Sequence, residues 1–358
     1  MHNEEREPFC LAPWVSIQYG AMSKGGVTPC CEWNRSWDPY YGPLSSYFSS
    51  QWLTTIKEAM LNKDMDIINL TCSSCIDLEK LNIISTRQRL TDKRLTIDSS
   101  LRIVDYRPSN LCNLKCRMCG PSNSSMIAKE ENVIIPELDK TEIYQLDFST
   151  ITDIKILGGE PSISSDVSDF LEYLIDTGFS KNINFMTTTN ATNANKAWID
   201  LITKFKSCYV IISLDGIGKV YEYIRTNANW NSVLKNIKVY QSLDNISYSF
   251  QVTTSMYNMP VVEDWIEWFF DKDTNIYPVD GFPELSLAAL PDDIRQEKIE
   301  YLKKFNNSVS RDAISILSSD KFDKSMNDKF KDYTYAKDKI RNTNILDVSA
   351  VFKKVLNT

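Results

Sequence analysis

The chain has 358 residues, 42% of them hydrophobic and 24% charged, and a formal charge of -7. That composition buries a core and excludes a disordered chain. The acidic balance excludes a wrapper of bulk nucleic acid, which needs a basic face, and no apolar run reaches the ~20 residues that span a bilayer. The opening residues 1–7 are acidic and polar, unlike a signal peptide. Nine cysteines, seven of them in close pairs or a triad, do not read as a disulfide framework, and both features point to a cytoplasmic protein in a reducing compartment. The single histidine, His2, leaves histidine catalysis and histidine metal ligation almost without material.

From Phe9 the chain alternates over Val15-Ser16-Ile17-Gln18-Tyr19, passes Gly25-Gly26 and resumes at Val27, which predicts a β-hairpin flanked by Cys10 and Cys30. Residues 51–62 have helical apolar spacing. Cys72-Ser73-Ser74-Cys75 follows, and residues 76–95 read as a helix leading into the main domain, with Arg87 and Arg89 solvated or one of them reaching the site. Cys10, Cys30, Cys72 and Cys75 would make a four-thiolate site, with Cys31 as the alternative to Cys30. Its occupant is either an iron–sulfur cluster or a structural zinc.

From residue 101 strands and helices alternate. Strands are predicted at 101–106, 153–157, 182–188, 208–214, 247–254, and 276–279 or 285–287. Helices are predicted at 167–176, 196–205, 230–243 and 261–270. Repeated βα units demand a parallel sheet with right-handed crossovers. After Pro291 the chain reads as helical and charged, without a motif.

The chemistry concentrates at Cys112, Cys116 and Cys119, three thiolates within eight residues. Thiolates suit iron–sulfur clusters and zinc. The bacterial ferredoxin run supplies a fourth cysteine nearby, whereas here none follows until Cys208. One iron of a 4Fe–4S cubane would stay open to a substrate or cofactor. This C-x3-C-x2-C loop resembles the signature of the radical S-adenosylmethionine (SAM) superfamily, with Met118 where the family has an aromatic residue. Gly158-Gly159-Glu160-Pro161 after the second strand, Asn190 after the third, and Ser213, Asp215 and Arg225 after the fourth fit that family's SAM-binding positions. They sit where parallel barrels place their chemistry.

The spacing of Cys10, Gly25 and Cys30 resembles the signature of SPASM and twitch modules, here placed before the barrel. The resemblance covers roughly residues 9–290. It implies an α/β fold with a partial (β/α)6 TIM-like barrel at 99–290, a small cysteine-rich twitch-like module with a linker helix at 1–98, and a helical C-terminal extension at 291–358. It implies a SAM-binding 4Fe–4S cluster on Cys112, Cys116 and Cys119, with Met118 packed over it, and an auxiliary 4Fe–4S cluster on Cys10, Cys30, Cys72 and Cys75. Gly158, Gly159, Glu160, Pro161, Asn190, Ser213, Asp215 and Arg225 would bind SAM, and no residue is singled out as the catalytic group. A flavodoxin- or ferredoxin-like electron donor is implied, with a peptide or protein substrate first and a small metabolite, sugar or nucleotide second. The alternative from another class is a non-catalytic zinc- or iron–sulfur-binding adaptor.

Overall fold

The computed structural model describes residues 9–20, 26–34, 36–80, 84–91, 95–97 and 100–358. Its strands are β1 Ser16–Gly20, β2 Val27–Thr28, β3 Ile103–Arg107, β4 Lys115–Cys116, β5 Asp153–Ile156, β6 Asn184–Thr189, β7 Ser207–Ser213, β8 Arg225–Thr226, β9 Ile246–Thr254 and β10 Thr274–Pro278. Eight of them form a mostly parallel sheet in the order β10-β9-β7-β6-β5-β3-β1-β2, while β4 pairs with β8. All six strands predicted after residue 100 are present, the last at Thr274–Pro278 rather than 285–287. The N-terminal hairpin also forms, with β1 antiparallel to β2. Its turn, including Gly25, and His2 lie outside the described residues. Among the described residues no helix is long and apolar enough to cross a membrane.

The chain divides into two compact units, one of residues 1–111, 121–187 and 197–208, the other of 112–120, 188–196 and 209–358. In the first unit β1 runs parallel to β3 and β3 parallel to β5, so the N-terminal hairpin extends the sheet. Helices α1 Ala12–Val15, α2 Gln51–Asn62, α3 Met65–Lys80, α4 Thr86–Thr91, α5 Ser125–Glu131, α6 Ser165–Asp176 and most of α7 Lys196–Ile202 belong to this unit. The α2 helix starts where the Ser50 hydroxyl accepts the Leu53 N–H, an N-cap. It buries Leu53, Ile56, Ala59 and Met60 on one face.

The single helix predicted at 76–95 is not formed. The α3 helix kinks at Cys72 and ends at Lys80, and α4 begins anew at Thr86. The cause is local. The Ser85 hydroxyl accepts the Gln88 N–H at 3.2 Å while the Gln88 side-chain Oε1 accepts the Ser85 N–H at 3.0 Å, a capping box that starts a helix.

The second unit holds α8 Gly218–Ile224, α9 Trp230–Gln241, α10 Asp292–Leu302, α11 Ser308–Ser319, α12 Lys324–Arg341 and α13 Val351–Asn357. The helical reading after Pro291 is met by α10 to α13. The helix predicted at 261–270 is instead two 3-10 segments, Met259–Asp264 and Ile266–Phe269. The non-helical backbone at Val261 and at Trp265 interrupts it, and the buried Trp265 Nε1 donates to the Asn258 carbonyl at 2.9 Å.

Candidate functional site

In the second unit the cysteine loop is tied down at each of its first two thiols. Cys116 lies in β4, opposite Arg225 of β8. The Arg225 Nη1 points at the Cys116 Sγ at 3.8 Å, and its Nη2 pairs with Asp215 Oδ2 at 2.7 Å. The Arg225 Nε is buried without a hydrogen-bond partner. Asp215 accepts the Thr253 N–H at 2.9 Å on its other oxygen, and Asn258 Nδ2 donates to its carbonyl at 3.1 Å. Burial raises the Asp215 carboxyl above its ordinary pKa, against the pull of Arg225. Burial also works against the Arg225 charge, but Asp215 and Cys116 more than offset it and hold its pKa up.

At the first thiol, the Leu114 N–H donates to the Cys112 Sγ at 3.4 Å and Asn190 Nδ2 approaches it at 3.9 Å. The same amide donates to Asn113 Oδ1 at 3.1 Å, while its oxygen accepts the Thr192 N–H and hydroxyl at 2.9 and 2.7 Å. Asn190 is thus a clasp on the loop. The Cys119 N–H closes the turn on the Cys116 carbonyl at 3.3 Å. Burial pushes the Cys116 and Cys119 thiols up, so their thiolate forms call for cationic company. Met118 and Ser213 are half-buried, Ser213 at the C-terminal end of β7. The donor set of three thiols, with Arg225 and Asn190 directed at two of them, fits a thiolate-ligated cluster.

The larger omission of sequence reasoning lies beside this loop. Arg117 is fully buried. Its guanidinium lies 3.7 Å from the Tyr223 ring centroid and donates to Asp338 Oδ1 at 2.6 Å and to the Thr343 hydroxyl at 2.7 Å. From α12, the Tyr333 hydroxyl donates to the Arg117 carbonyl at 2.7 Å and Arg341 Nη1 to the Lys115 carbonyl at 2.7 Å. The motif-free C-terminal region therefore braces the cysteine loop. A lone Arg between two cysteines carries no signal that would reveal a partner over two hundred residues away.

In the first unit, Gly158-Gly159-Glu160-Pro161 forms a turn whose glycines have φ of +90° and +58°. A Cβ at Gly159 would collide with the Leu111 carbonyl, so that turn requires glycine. The Glu160 N–H donates to the same carbonyl at 2.7 Å. Its carboxylate is buried and accepts from the Ser162 N–H at 3.2 Å and hydroxyl at 2.6 Å. The turn thereby fixes Leu111, the residue before Cys112 in the chain.

The same unit brings Cys10, Cys30, Cys72 and Cys75 around one cavity, which Arg87 also lines. Arg87 is buried rather than solvated and is ion-paired with Glu79. Burial pushes the Cys10 thiol up to about 12 and raises Cys30, Cys72 and Cys75 as well. Cys31 points elsewhere, with Lys155 Nζ 3.9 Å from its sulfur. Cys10 and Cys75 are buried and Cys30 and Cys72 half-buried, and thiols are the ligand type that suits iron–sulfur clusters and zinc. Among the described residues no group of three or more His, Cys, Asp or Glu is gathered as one metal ion requires.

A model of the radical SAM superfamily matches residues 106–272. That span contains the cysteine loop, the Gly158–Pro161 turn, Asn190, Ser213, Asp215 and Arg225, and it excludes the four N-terminal cysteines and the C-terminal helices. GTP 3',8-cyclase of Sulfurimonas denitrificans is 33% identical over 101 residues, 27% of this chain and 30% of that protein. Molybdenum cofactor biosynthesis protein 1 of Dictyostelium discoideum is 25% identical over 209 residues, 56% of this chain and 31% of that protein. The chain thus spans under a third of the length of these curated relatives. Native anSMEcpe with bound AdoMet aligns with a TM-score of 0.43 at 16% identity, over 57% of this chain and 59% of that one. SuiB of Streptococcus suis bound to S-adenosylmethionine gives 0.38 at 18% identity, over 64% and 48%. Both scores mark a distant likeness. With the matched span enclosing the three-thiol loop, residues 106–272 are similar to the radical SAM superfamily, whose members are enzymes that work with a 4Fe–4S cluster and S-adenosylmethionine.

Proposed function

We propose that the chain is a radical SAM enzyme whose cluster is held by Cys112, Cys116 and Cys119, with one iron left open for S-adenosylmethionine. The observation that carries this reading is the donor set of the loop inside the matched span: three thiols, and no fourth cysteine before Cys208. When bound, the cluster and SAM supply one-electron chemistry, yielding a 5'-deoxyadenosyl radical that takes a hydrogen atom from substrate. The chain's own residues bind, orient and exclude water. Asn190 and Arg225 direct N–H groups at Cys112 and Cys116, which stabilises thiolate charge. The Nη2 of Arg225 is committed to Asp215, so its Nε is the donor left for the SAM carboxylate. Ser213, Asp215 and Asn190 are assigned to the SAM hydroxyls and Met118 to the face of the cluster. The assignment of Gly158, Gly159, Glu160 and Pro161 to the SAM ammonium rests on the motif alone.

In this reading residues 1–98 are an auxiliary module, with Cys10, Cys30, Cys72 and Cys75 on a second 4Fe–4S cluster. Residues 99–290 are the partial barrel and 291–358 an extension that braces its cysteine loop. A flavodoxin- or ferredoxin-like protein supplies the electron. The proposed substrate is a peptide or protein, supported by the acidic balance of the chain and its twitch-type resemblance. The second reading, a nucleotide or other small metabolite, is favoured by the curated relative named as a GTP cyclase. The test of the reaction is 5'-deoxyadenosine formation by the anaerobically reconstituted protein under dithionite. Product should form with the wild type and vanish in the Cys112→Ala, Cys116→Ala, Cys119→Ala variant. Equal product from both would sink the assignment.

A further inference from the structure

The α12 helix has two unlike sides. One grips the cysteine loop. There the Tyr333 hydroxyl and Arg341 Nη1 donate to the carbonyls of Arg117 and Lys115, each at 2.7 Å, and Asp338 takes the Arg117 guanidinium. Those two carbonyls belong to the residues on either side of Cys116. The other side is a strip of Tyr335, Ala336, Lys339 and Ile340, all exposed. Residues four apart are neighbours on a helix surface, which sets Tyr335 beside Lys339 and Ala336 beside Ile340. Tyr335 is 54% exposed and Ile340 61%. Among the described residues Lys339 pairs with no carboxylate.

Positive charge is concentrated in the same part of the chain. Residues 324–358 carry eight Lys or Arg against four Asp, in a chain whose formal charge is -7. Two of those acids are committed locally, Asp338 to Arg117 and Asp328 to Lys324 and Lys331. Asp332 stands one turn before Tyr335, at the end of the strip away from Arg341. A cation in the last turn of a helix also complements the helix dipole. That accounts for Lys339, but not for an aromatic and an aliphatic side chain standing in water on the same strip.

We propose that the face of α12 formed by Tyr335, Lys339 and Ile340 is the docking surface of the electron donor, a small acidic protein of the flavodoxin class. The inference rests on the radical SAM reading, which calls for a one-electron donor. A positive, partly apolar strip complements an acidic partner in charge. It also stands one helix width from the loop, about 10–12 Å with side chains included, because the opposite side of α12 is bonded to the residues flanking Cys116. One electron leaves the reduced flavin of the donor and enters the cluster, and no proton or leaving group moves with it. The α12 helix lies outside the matched span of residues 106–272, so this surface belongs to the C-terminal extension.

The test uses purified flavodoxin and the full-length reconstituted protein. Calorimetry with oxidised flavodoxin, which transfers no electron, reads binding alone. Formation of 5'-deoxyadenosine is then driven by reduced flavodoxin and, separately, by dithionite. The wild type should bind flavodoxin, less tightly as salt rises. Lys339→Glu should weaken binding and slow the flavodoxin-driven reaction about tenfold at low salt, and Ile340→Ser severalfold. Under dithionite both variants should match the wild type. Lys235→Glu, the same reversal at an exposed position of α9, should change neither readout. No binding by the wild type, equal weakening in Lys235→Glu, or equal slowing of Lys339→Glu under dithionite overturns the docking surface. Should Lys339→Glu fail to fold by circular dichroism, Lys339→Gln and Ile340→Ser decide. A protein that binds flavodoxin through this face yet forms no 5'-deoxyadenosine with dithionite would fail as a radical SAM enzyme only. One that forms it with dithionite, and whose flavodoxin-driven reaction ignores Lys339→Glu, would fail the docking surface only.

Discussion

Arg117, in the middle of the cysteine loop, and Asp338, near the end of α12, are 221 residues apart in sequence and 2.6 Å apart in space. The carboxylate of Asp338 serves four donors. Besides Arg117 it accepts from the Tyr223 hydroxyl at 2.9 Å, the Thr343 hydroxyl at 2.8 Å and the Ile345 N–H at 2.9 Å. Asp338→Ala would strand a buried guanidinium, and breaking one partner of a buried pair costs about 3–5 kcal/mol. We expect a lower midpoint in urea together with faster loss of iron from the loop. Wild-type stability and iron retention in this variant would remove the bracing role.

Much of this site was legible from sequence, and the illegible part has a common physical cause. The three cysteines, the Gly158-Gly159 turn and the succession of strands along the chain announce themselves through spacing and period, which are local. The kink at Cys72 and the restart at Thr86 were hidden by continuous helical propensity, although the Ser85–Gln88 capping pair was there to be read. The breaks at Val261 and Trp265 in the segment 259–269 had no such marker, since Pro260 falls in a first turn, where proline is tolerated. The grip of α12 on the loop had none, because a partner in space leaves no trace in the periodicity of either segment. The hairpin was visible, but its parallel pairing with Ile103–Arg107 depends on register, which single-strand patterns do not encode.

Arg225 invites a separation of roles. Its pairing with Asp215, whose side chain is 1% exposed, means that Arg225→Leu alone should cost stability by about 3–5 kcal/mol, through the stranded carboxylate. The Arg225→Leu, Asp215→Leu double variant should recover a good part of that loss, since paired charges replaced by apolar groups are often neutral. SAM affinity should not recover. Loss of a charge-assisted bond of about 1.5–3 kcal/mol weakens binding about 10- to 150-fold. Thermal melting and SAM titration of the reconstituted variants read the two effects apart, and full SAM affinity in the double variant would move the carboxylate contact away from Arg225.

Asp105 predicts a pH dependence. Burial alone would raise its pKa, but Arg107 and Lys155 outweigh burial and hold it below the ordinary aspartate value. A carboxyl depressed in the folded state binds fewer protons there than when unfolded, so its stabilisation is present above the unfolded pKa of about 3.9 and is lost as pH falls through the folded one. Urea midpoints measured from neutral pH down into the acid range should therefore fall at the acid end. Asp105→Asn should flatten that part of the curve, while lowering stability at neutral pH by about 3–5 kcal/mol for the broken buried pair with Arg107. An unchanged acid slope in Asp105→Asn would show that the pair is not what titrates.

The four-cysteine cavity is settled by counting metal. Cys10, Cys30, Cys72 and Cys75 line it, and Cys31 does not. Two Cys-held cubanes would give about eight irons per chain, and each accounts for about four. Removing Cys112, Cys116 and Cys119 should therefore leave about half the iron, and adding Cys72→Ala and Cys75→Ala should abolish the remainder. Cys31→Ala should leave the count untouched, because its thiol faces Lys155 rather than the cavity. A cubane saturated by four thiolates has no open iron, so the residual cluster should show no spectral change on adding SAM, unlike the full protein. Stoichiometric zinc after anaerobic reconstitution, without brown absorbance in the triple variant, would instead make the N-terminal site a structural knot. Iron lost from both sites on removing Cys112, Cys116 and Cys119 would leave the cavity as four packed thiols.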